Sequence, residues 1–213
     1  MPNSSSKKLI ISKLTAASQG RTVFIEPSQD QNSDIYKAIL PDAVNCFKFE
    51  LEAVNGRCFL CDSDEDLLQQ LHQYLIEHGI SSVYCLDKSI SEFLKSAAIF
   101  VDDESAATFS NMKAGVTSCE FLIARTGSVV VSSHLASGRK MNVFPPVHIV
   151  LAHVSQLVNY VEDAYIAIQQ KYVGILPSLI STITGPSRTA DIEKTLVLGA
   201  HGPKELIVFL QKN

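Results

Sequence analysis

Short apolar runs alternate with amphipathic stretches along most of the chain. The runs, many of them rich in β-branched and aromatic residues, predict strands at residues 57–61, 83–86, 98–101, 128–133, 147–152, 179–184 and 206–210. Several runs are apolar on both faces, which is typical of parallel strands that are covered on each side. The pattern therefore predicts an α/β fold with a mostly parallel sheet flanked by helices.

Two helices are predicted between these strands. The first begins after Ser63, which can cap an acidic first turn, and Gly79 ends it. With the strands on either side it forms a β-α-β unit, whose crossover we expect to be parallel and right-handed. The second helix is predicted from an apolar stripe over residues 154–168, with Ser155 as its N-cap.

The first fifty residues have a weaker pattern than the rest. Residues 1–50 are predicted to form an N-terminal arm with short helices, one of which Pro41 stops. Residues 51–213 are predicted to form the α/β domain, so the chain has one domain overall.

Composition and charge narrow the class of protein. Of 213 residues, 46% are apolar and 19% are charged, which is ordinary for a globular domain. The net charge is −4 and Lys and Arg form no long block, so neither nucleic acid nor a membrane is an expected partner. The apolar run at 9–11 is too short for a signal peptide, and no run approaches the roughly 18 residues that span a bilayer. We expect a cytoplasmic protein.

The five cysteines are expected to be reduced and buried, because an odd number fits free thiols better than a disulfide framework. Cys58 and Cys61 form a C-x-x-C, but on a strand these positions point to opposite faces. Neither a second such pair nor the spacing of an iron–sulfur motif occurs in the sequence. We therefore predict no metal site.

Three segments rich in Gly, Ser and Thr are candidate ligand sites, because ligands of open α/β sheets bind beyond the carboxyl ends of strands. The first is G-P-S-R-T-A-D-I-E at 185–193, where the pattern predicts a helix entered at Pro186 and capped by Ser187 or Thr189. Backbone N–H groups there can hold an anion, and Arg188 can pair with a carboxylate. A well-capped helix without a ligand explains the same residues equally well.

The other two segments are shorter. G-V-T-S at 115–118 and A-R-T-G-S at 124–128 could build one wall of a pocket, or two ordinary turns around a short helix. In G-A-H-G-P at 199–203, His201 could act as acid, base or hydrogen-bond donor, or occupy a surface turn. His148 and His153 flank an apolar strand, and we expect one in the core and the other at the strand end. The sequence has no nucleophile elbow, dinucleotide fingerprint or P-loop.

Five sequence blocks, taken in order, form a recognisable set. They are G-V-T at 115–117, I-A-R-T-G-S-V-V-V at 123–131, P-P-V-H-I-V at 145–150, G-P-S-R-T-A-D-I-E at 185–193 and G-A-H-G-P at 199–203. Together they resemble the lactate utilization (LUD) domain family, lactate utilization protein C type. The resemblance is strong from about residue 111 onward, weaker over 57–102 and absent before. It implies a CoA-transferase-like α/β fold, similar to that of ribose-phosphate isomerase.

The resemblance also implies a function. Family members act in the oxidation of L-lactate to pyruvate in bacteria, with iron–sulfur clusters held by partner proteins and none by this subunit. We therefore hypothesise an accessory subunit of such a complex, with a small-anion pocket at the strand-end loops that could take a carboxylate or a phosphate. The alternatives are a stand-alone enzyme acting on a CoA thioester or sugar phosphate, and a scaffold subunit that only binds partners.

The pocket is predicted from the matching loops. Its candidate ligand-binding residues are Thr117, Arg125, Thr126, Gly127, Ser128, Gly185, Ser187, Arg188, Thr189, Asp191, His201 and Gly202. His201 and Glu193 are the catalytic candidates, and Glu120 is a further candidate nucleophile for the enzyme alternative. Many family members carry an acidic residue where this chain has Arg125, which inverts the local charge. If Arg125 faces the pocket, the ligand is expected to be more anionic or to differ from lactate.

Overall fold

The computed structural model describes residues 4–19, 38–102, 112–190, 196–199 and 201–212. The chain divides into two compact units, Met1–Lys37 and Ala38–Asn213. The first unit contains the helix α1 (Ser4–Gln19), whose side chains from Lys7 to Ala16 are all exposed. Most of the short helix predicted before Pro41 lies outside the described residues.

The second unit contains four helices and twelve strands in its described part. The helices are α2 (Ala43–Ala53), α3 (Asp64–Glu77), α4 (Lys88–Ser96) and α5 (Val161–Lys171). The strands are β1 (Arg57–Cys61), β2 (Val83–Tyr84), β3 (Val101–Asp102), β4 (Ala114–Thr117), β5 (Phe121–Ile123), β6 (Ser128–Ser132), β7 (Val147–His153), β8 (Leu157–Val158), β9 (Ile180–Ile183), β10 (Arg188–Ala190), β11 (Leu196–Leu198) and β12 (Glu205–Gln211). Helix α2 runs across the predicted boundary between residues 50 and 51.

The central layer is a six-stranded sheet in the order β1-β12-β7-β4-β2-β3, and every neighbouring pair in it is parallel. Helices α3 and α4 cover one face, where Leu71 and Leu94 are fully buried against Ile149 and Phe209 of the sheet. This arrangement confirms the predicted α/β class and mostly parallel sheet.

A second sheet covers the other face of the central layer. Its order is β8-β5-β6-β9, and β5 pairs parallel with β8 but antiparallel with β6. Together with α2 it buries a second apolar cluster, in which Phe47 and Leu51 of α2 pack with Val208 of the central sheet. Helix α5 lies on the outer face of this sheet, where Ile168 packs against Ile123 and Val130.

The predicted β-α-β unit is confirmed. Ser63 caps α3 because its Oγ accepts a hydrogen bond from the N–H of Asp66 at 3.2 Å, and three acidic residues occupy the first turn. At the other end, Gly79 has φ +61°, a left-handed conformation that stops the helix at low steric cost. Strand β1 has the predicted bounds.

Two predicted helices are wrong in position or type. Residues 154–156 form a 3-10 turn and β8 follows, so α5 starts only at Val161, after Tyr160 donates its N–H to Asp163. Pro186 does not enter a helix either. Arg188–Ala190 instead pairs antiparallel with Leu196–Leu198 as a hairpin. In both cases a pairing partner elsewhere in the chain overrides the local helical pattern.

Candidate functional site

A cleft of about 330 Å³ opens at the carboxyl edge of the central sheet. Residues that follow or end parallel strands line it: Ser118 after β4, Ala152 and His153 at the end of β7, and Gln211 at the end of β12. The first turns of α3 and α4 also border the cleft. The remaining lining residues are Asp64, Leu67, Ser89, Ile90, Phe93, Leu151 and Gln156. This is the edge at which α/β sheets bind ligands.

Ser118 is held between anchored neighbours. On one side, the Oγ1 of the fully buried Thr117 lies 2.8 Å from Nε2 of His148. On the other side, the carbonyl oxygen of Cys119 accepts a hydrogen bond of 2.6 Å from Nε2 of Gln156. Ser118 therefore lines the cleft from a loop that is anchored on both sides.

Gln156 also fixes His153. Its Oε1 accepts the backbone N–H of His153 at 2.9 Å, so one amide side chain joins the loop after β7 to the loop after β4. The backbone N–H of Ser155 donates to Nδ1 of His153 at 3.1 Å, and its hydroxyl lies 2.7 Å from the same atom. A neutral His153 therefore carries its proton on Nε2 and offers a hydrogen-bond donor.

A buried carboxylate, that of Glu120, lies close after Ser118 in the chain. Glu120 has a fully buried side chain and accepts hydrogen bonds from Ser132 at 2.5 Å, Lys171 at 2.7 Å and Tyr172 at 2.7 Å. Burial raises the pKa of this carboxyl, but the three donors outweigh burial and hold the pKa below its ordinary value. Because these donors come from β6, from the last residue of α5 and from the residue after it, Glu120 ties α5 to the second sheet.

His148 is the core histidine that the sequence predicts. It is fully buried, and burial lowers its pKa to about 4. Its Nδ1 has no hydrogen-bond partner among the residues that the structure describes. His148 is therefore neutral near pH 7 and supports Thr117 from behind, whereas His153 lies at the strand end.

The cleft carries little formal charge. Among its described lining residues, Asp64 is the one carboxylate and neither Lys nor Arg occurs. Oδ1 of Asp64 accepts a hydrogen bond of 2.8 Å from Nε2 of Gln211, which partly offsets the negative charge. A ligand oxygen would therefore meet neutral donors, mainly the hydroxyls of Ser89 and Ser118 and the ring N–H of His153.

Most of the predicted ligand-binding loops lie at the opposite, amino edge of the central sheet. His201 and Gly202 precede β12, and the N–H of Lys204 donates to Pro146, just before β7. Ser187 joins them through its N–H, which donates to the carbonyl of Pro203 at 2.8 Å. His201 is exposed at this edge.

Two glycines and Arg188 of these loops contact the end of α2. A methyl group at Gly127 would lie 2.1 Å from the backbone nitrogen of Leu51, and one at Gly185 would lie 2.6 Å from the carbonyl oxygen of Val54. Both glycines also have positive φ. Each position therefore requires glycine for two reasons, the close contact and the left-handed backbone. Arg188 donates from Nη2 to the same carbonyl of Val54, which is a C-terminal capping contact. These residues dock α2 onto the sheets.

Arg125 forms an ion pair with Glu50 of α2, with Nη1 2.5 Å from Oε1. The positive charge of Arg125 is thus met by an acidic partner outside the carboxyl-edge cleft. The neighbouring hydroxyls form a chain, in which Thr126 lies 2.7 Å from Ser128 and Ser128 lies 2.8 Å from Thr184.

The structure brings the predicted set together only in part. Thr117 lies behind the carboxyl-edge cleft, and the other described members cluster near the end of α2 and at the amino edge. Only the backbone of Thr189 is described, in β10. Asp191 and Glu193 lie outside the described residues. The sequence predicted that one of His148 and His153 lies at a strand end, without distinguishing the two. Ser89, Gln156 and Gln211 were not predicted, because no motif marks them.

The cysteines are all buried free thiols, as predicted. Cys58 and Cys61 lie in the two different apolar clusters, on opposite faces of β1. Burial raises the pKa of each to about 12. Within the described ranges, no three His, Cys, Asp or Glu side chains converge as a metal site would require.

None of the helices in the described part of the chain has the length and apolar character needed to cross a bilayer.

The fold defines an α/β protein with an open cleft at the carboxyl edge of a parallel sheet. Residues 44–210 match the model of the LUD domain, and the chain belongs to the LUD domain family. A crystal structure of a DUF162 family protein from Deinococcus radiodurans has the same fold, with a TM-score of 0.58 and 18% identity over 79% of this chain and 96% of that one.

Several curated proteins are similar in sequence. An uncharacterized protein of Neisseria meningitidis is 34% identical over 62% of this chain and 56% of its own length. Lactate utilization protein C of Bacillus licheniformis is 37% identical over 47% of this chain and 43% of its length, and that of Anoxybacillus flavithermus is 30% identical over 68% and 70%. The chain thus spans about half the length of the first two relatives.

Proposed function

We propose that this protein takes part in lactate utilization and that its carboxyl-edge cleft binds a small 2-hydroxy or 2-oxo carboxylate. Two neutral donors on anchored loops, the Ser118 hydroxyl and the Nε2–H of His153, carry the proposal. A carboxylate has the acceptor oxygens that such donors bind. Relatives named lactate utilization protein C support lactate or pyruvate as the acid.

The proposal includes partners for the redox step. Oxidation of L-lactate to pyruvate releases two electrons and two protons, and we assign the electrons to iron–sulfur proteins that form a complex with this chain. This chain would then be the accessory subunit that binds the acid. The assignment agrees with the cysteines of this chain, which are separate buried free thiols.

Calorimetric titration of the full chain with L-lactate, D-lactate and pyruvate tests the cleft. We expect saturable binding, which Ser118→Ala weakens about tenfold because a hydrogen bond to a charged group is lost. Ser81→Ala is the matched control, since Ser81 is exposed and lies away from the cleft. If none of the three acids binds, or if both serine variants behave alike, the cleft is not the carboxylate site.

Arg188→Ala decides between the cleft and the predicted loop pocket. Because Arg188 caps α2, we expect this variant to bind the acids with unchanged affinity but to unfold more easily. A loss of binding in Arg188→Ala, with Ser118→Ala unaffected, would move the site to the loops.

The complex is tested separately, by co-purification with iron–sulfur proteins and by lactate-dependent dye reduction in the assembled sample.

A further inference from the structure

The cleft has an apolar lining that lactate cannot use. Leu67, Ile90, Phe93, Leu151 and Ala152 contribute side chains to it. Ile90, Phe93 and Leu151 are only partly buried and form the margin of the core cluster between the sheet and its helices. Lactate offers one methyl group to these side chains. Apolar surface of this kind, inside a concave site, indicates a ligand with an apolar body.

The volume of the cleft also indicates a ligand larger than lactate. At roughly 30 Å³ for each water-sized group, the six or so non-hydrogen atoms of lactate fill at most about 180 Å³. The cleft holds about 330 Å³. Bound lactate would leave the remaining space to water against the apolar side chains, which is unfavourable.

We infer that the cleft accepts 2-hydroxy or 2-oxo acids with a longer apolar chain, and binds them more tightly than lactate. This inference rests on the proposed function, because it keeps the carboxylate on Ser118 and His153. The chain of the acid then extends along Phe93, Ile90 and Leu151. The polar groups determine which end of the ligand enters, and the apolar lining determines its length.

Titration with a series of unbranched L-2-hydroxy acids tests the inference. From lactate through 2-hydroxybutanoate to 2-hydroxyhexanoate, we expect affinity to rise about fourfold for each CH₂ that is buried, or about 60-fold in total. Hexan-1-ol, which lacks the carboxylate, is expected to bind far more weakly than 2-hydroxyhexanoate.

Two phenylalanine variants locate the effect. Phe93→Ala should reduce the gain in affinity per CH₂ to less than twofold. Phe100→Ala is the matched control, because Phe100 is 77% exposed and lines a different groove. If Phe93→Ala does not fold, Phe93→Leu gives the same comparison with a smaller reduction.

The outcomes separate the inference from the proposed function. If wild-type protein binds lactate saturably but binds all acids of the series with the same affinity, the inference is overturned and the proposed function stands. No binding of any acid overturns both. The inference is also overturned if Phe100→Ala abolishes the rise in affinity along the series and Phe93→Ala leaves that rise intact. The apolar chain of the acid would then lie elsewhere.

Discussion

The two edges of the central sheet differ in what their side chains contact. At the amino edge and the adjoining end of α2, the motif loops contact the protein itself, as Gly127, Gly185 and Arg188 do at the last turn of α2. At the carboxyl edge, Ser118 and His153 line an open cleft. Several residues of the recognisable sequence blocks therefore dock α2, whereas the residues that line the cleft lie largely outside those blocks.

The largest expected effect concerns the docking of α2. Gly127→Ala adds a methyl group 2.1 Å from the backbone of Leu51 at a position with φ +58°. Overpacking and the left-handed backbone together are expected to lower the free energy of unfolding by about 4 kcal/mol. Urea denaturation measures the loss.

The matched control for this variant is Gly138→Ala. Gly138 has a similar φ of +61° but nothing within 4 Å of the added methyl group. Only the strain of the left-handed backbone applies there, so we expect the free energy of unfolding to fall by about 1 kcal/mol. Equal losses in the two variants would show that close packing of α2 on Gly127 is unimportant.

A second prediction concerns the support of the carboxyl edge. The pKa of His148 falls from 6.5 to about 4 on folding, because its ring is buried. As pH decreases from 6.5 to 4, the unfolded chain gains a proton that the folded chain does not, so stability is lost. The total loss from this group is about 3 kcal/mol.

Replacing the histidine isolates its part in this pH dependence. In His148→Gln, the decrease in unfolding free energy between pH 6.5 and pH 4 should be smaller than in the wild type by that amount. His72→Gln is the control, because His72 is exposed on α3. A pH profile of His148→Gln that runs parallel to the wild type would contradict the buried, neutral state of this ring.

The smallest expected effect concerns the ion pair between Arg125 and Glu50. Each side chain keeps somewhat more than a quarter of its surface exposed, at 27% and 29%, so solvent screens the pair. A double-mutant cycle with Arg125→Gln and Glu50→Gln should give a coupling energy of about 1 kcal/mol, smaller at high salt. A coupling of zero would mean that the inverted charge at 125 has no compensating partner.

Local sequence signals predicted those parts of the fold that depend on local interactions. Ser63, the acidic turn after it and Gly79 define α3, because capping and backbone conformation act within a few residues. The apolar strands β7 and β12 were predicted to within one residue at each end. Cys58 and Cys61 lie in different apolar clusters, which confirms the prediction that they point to opposite faces of β1.

Non-local pairing limits what could be predicted. Leu157 looks helical in sequence but pairs with Leu122 in the second sheet, 35 residues away, so α5 begins later. The segment after Gly185 has helix-start residues but forms one strand of a hairpin. Gln156 was missed because its value lies in joining two loops that are 37 residues apart.

The sequence by itself determined the α/β class, the membership of the LUD family and the ends of α3, since these depend on local pattern and on motif order. Only the tertiary structure decided which loops surround the accessible cleft. Strand β12 lies between β1 and β7 and is parallel to both. The loop before β12, which contains His201, therefore lies at the amino edge. The order of strands in a sheet is set by long-range packing and backbone hydrogen bonding, which no short segment encodes.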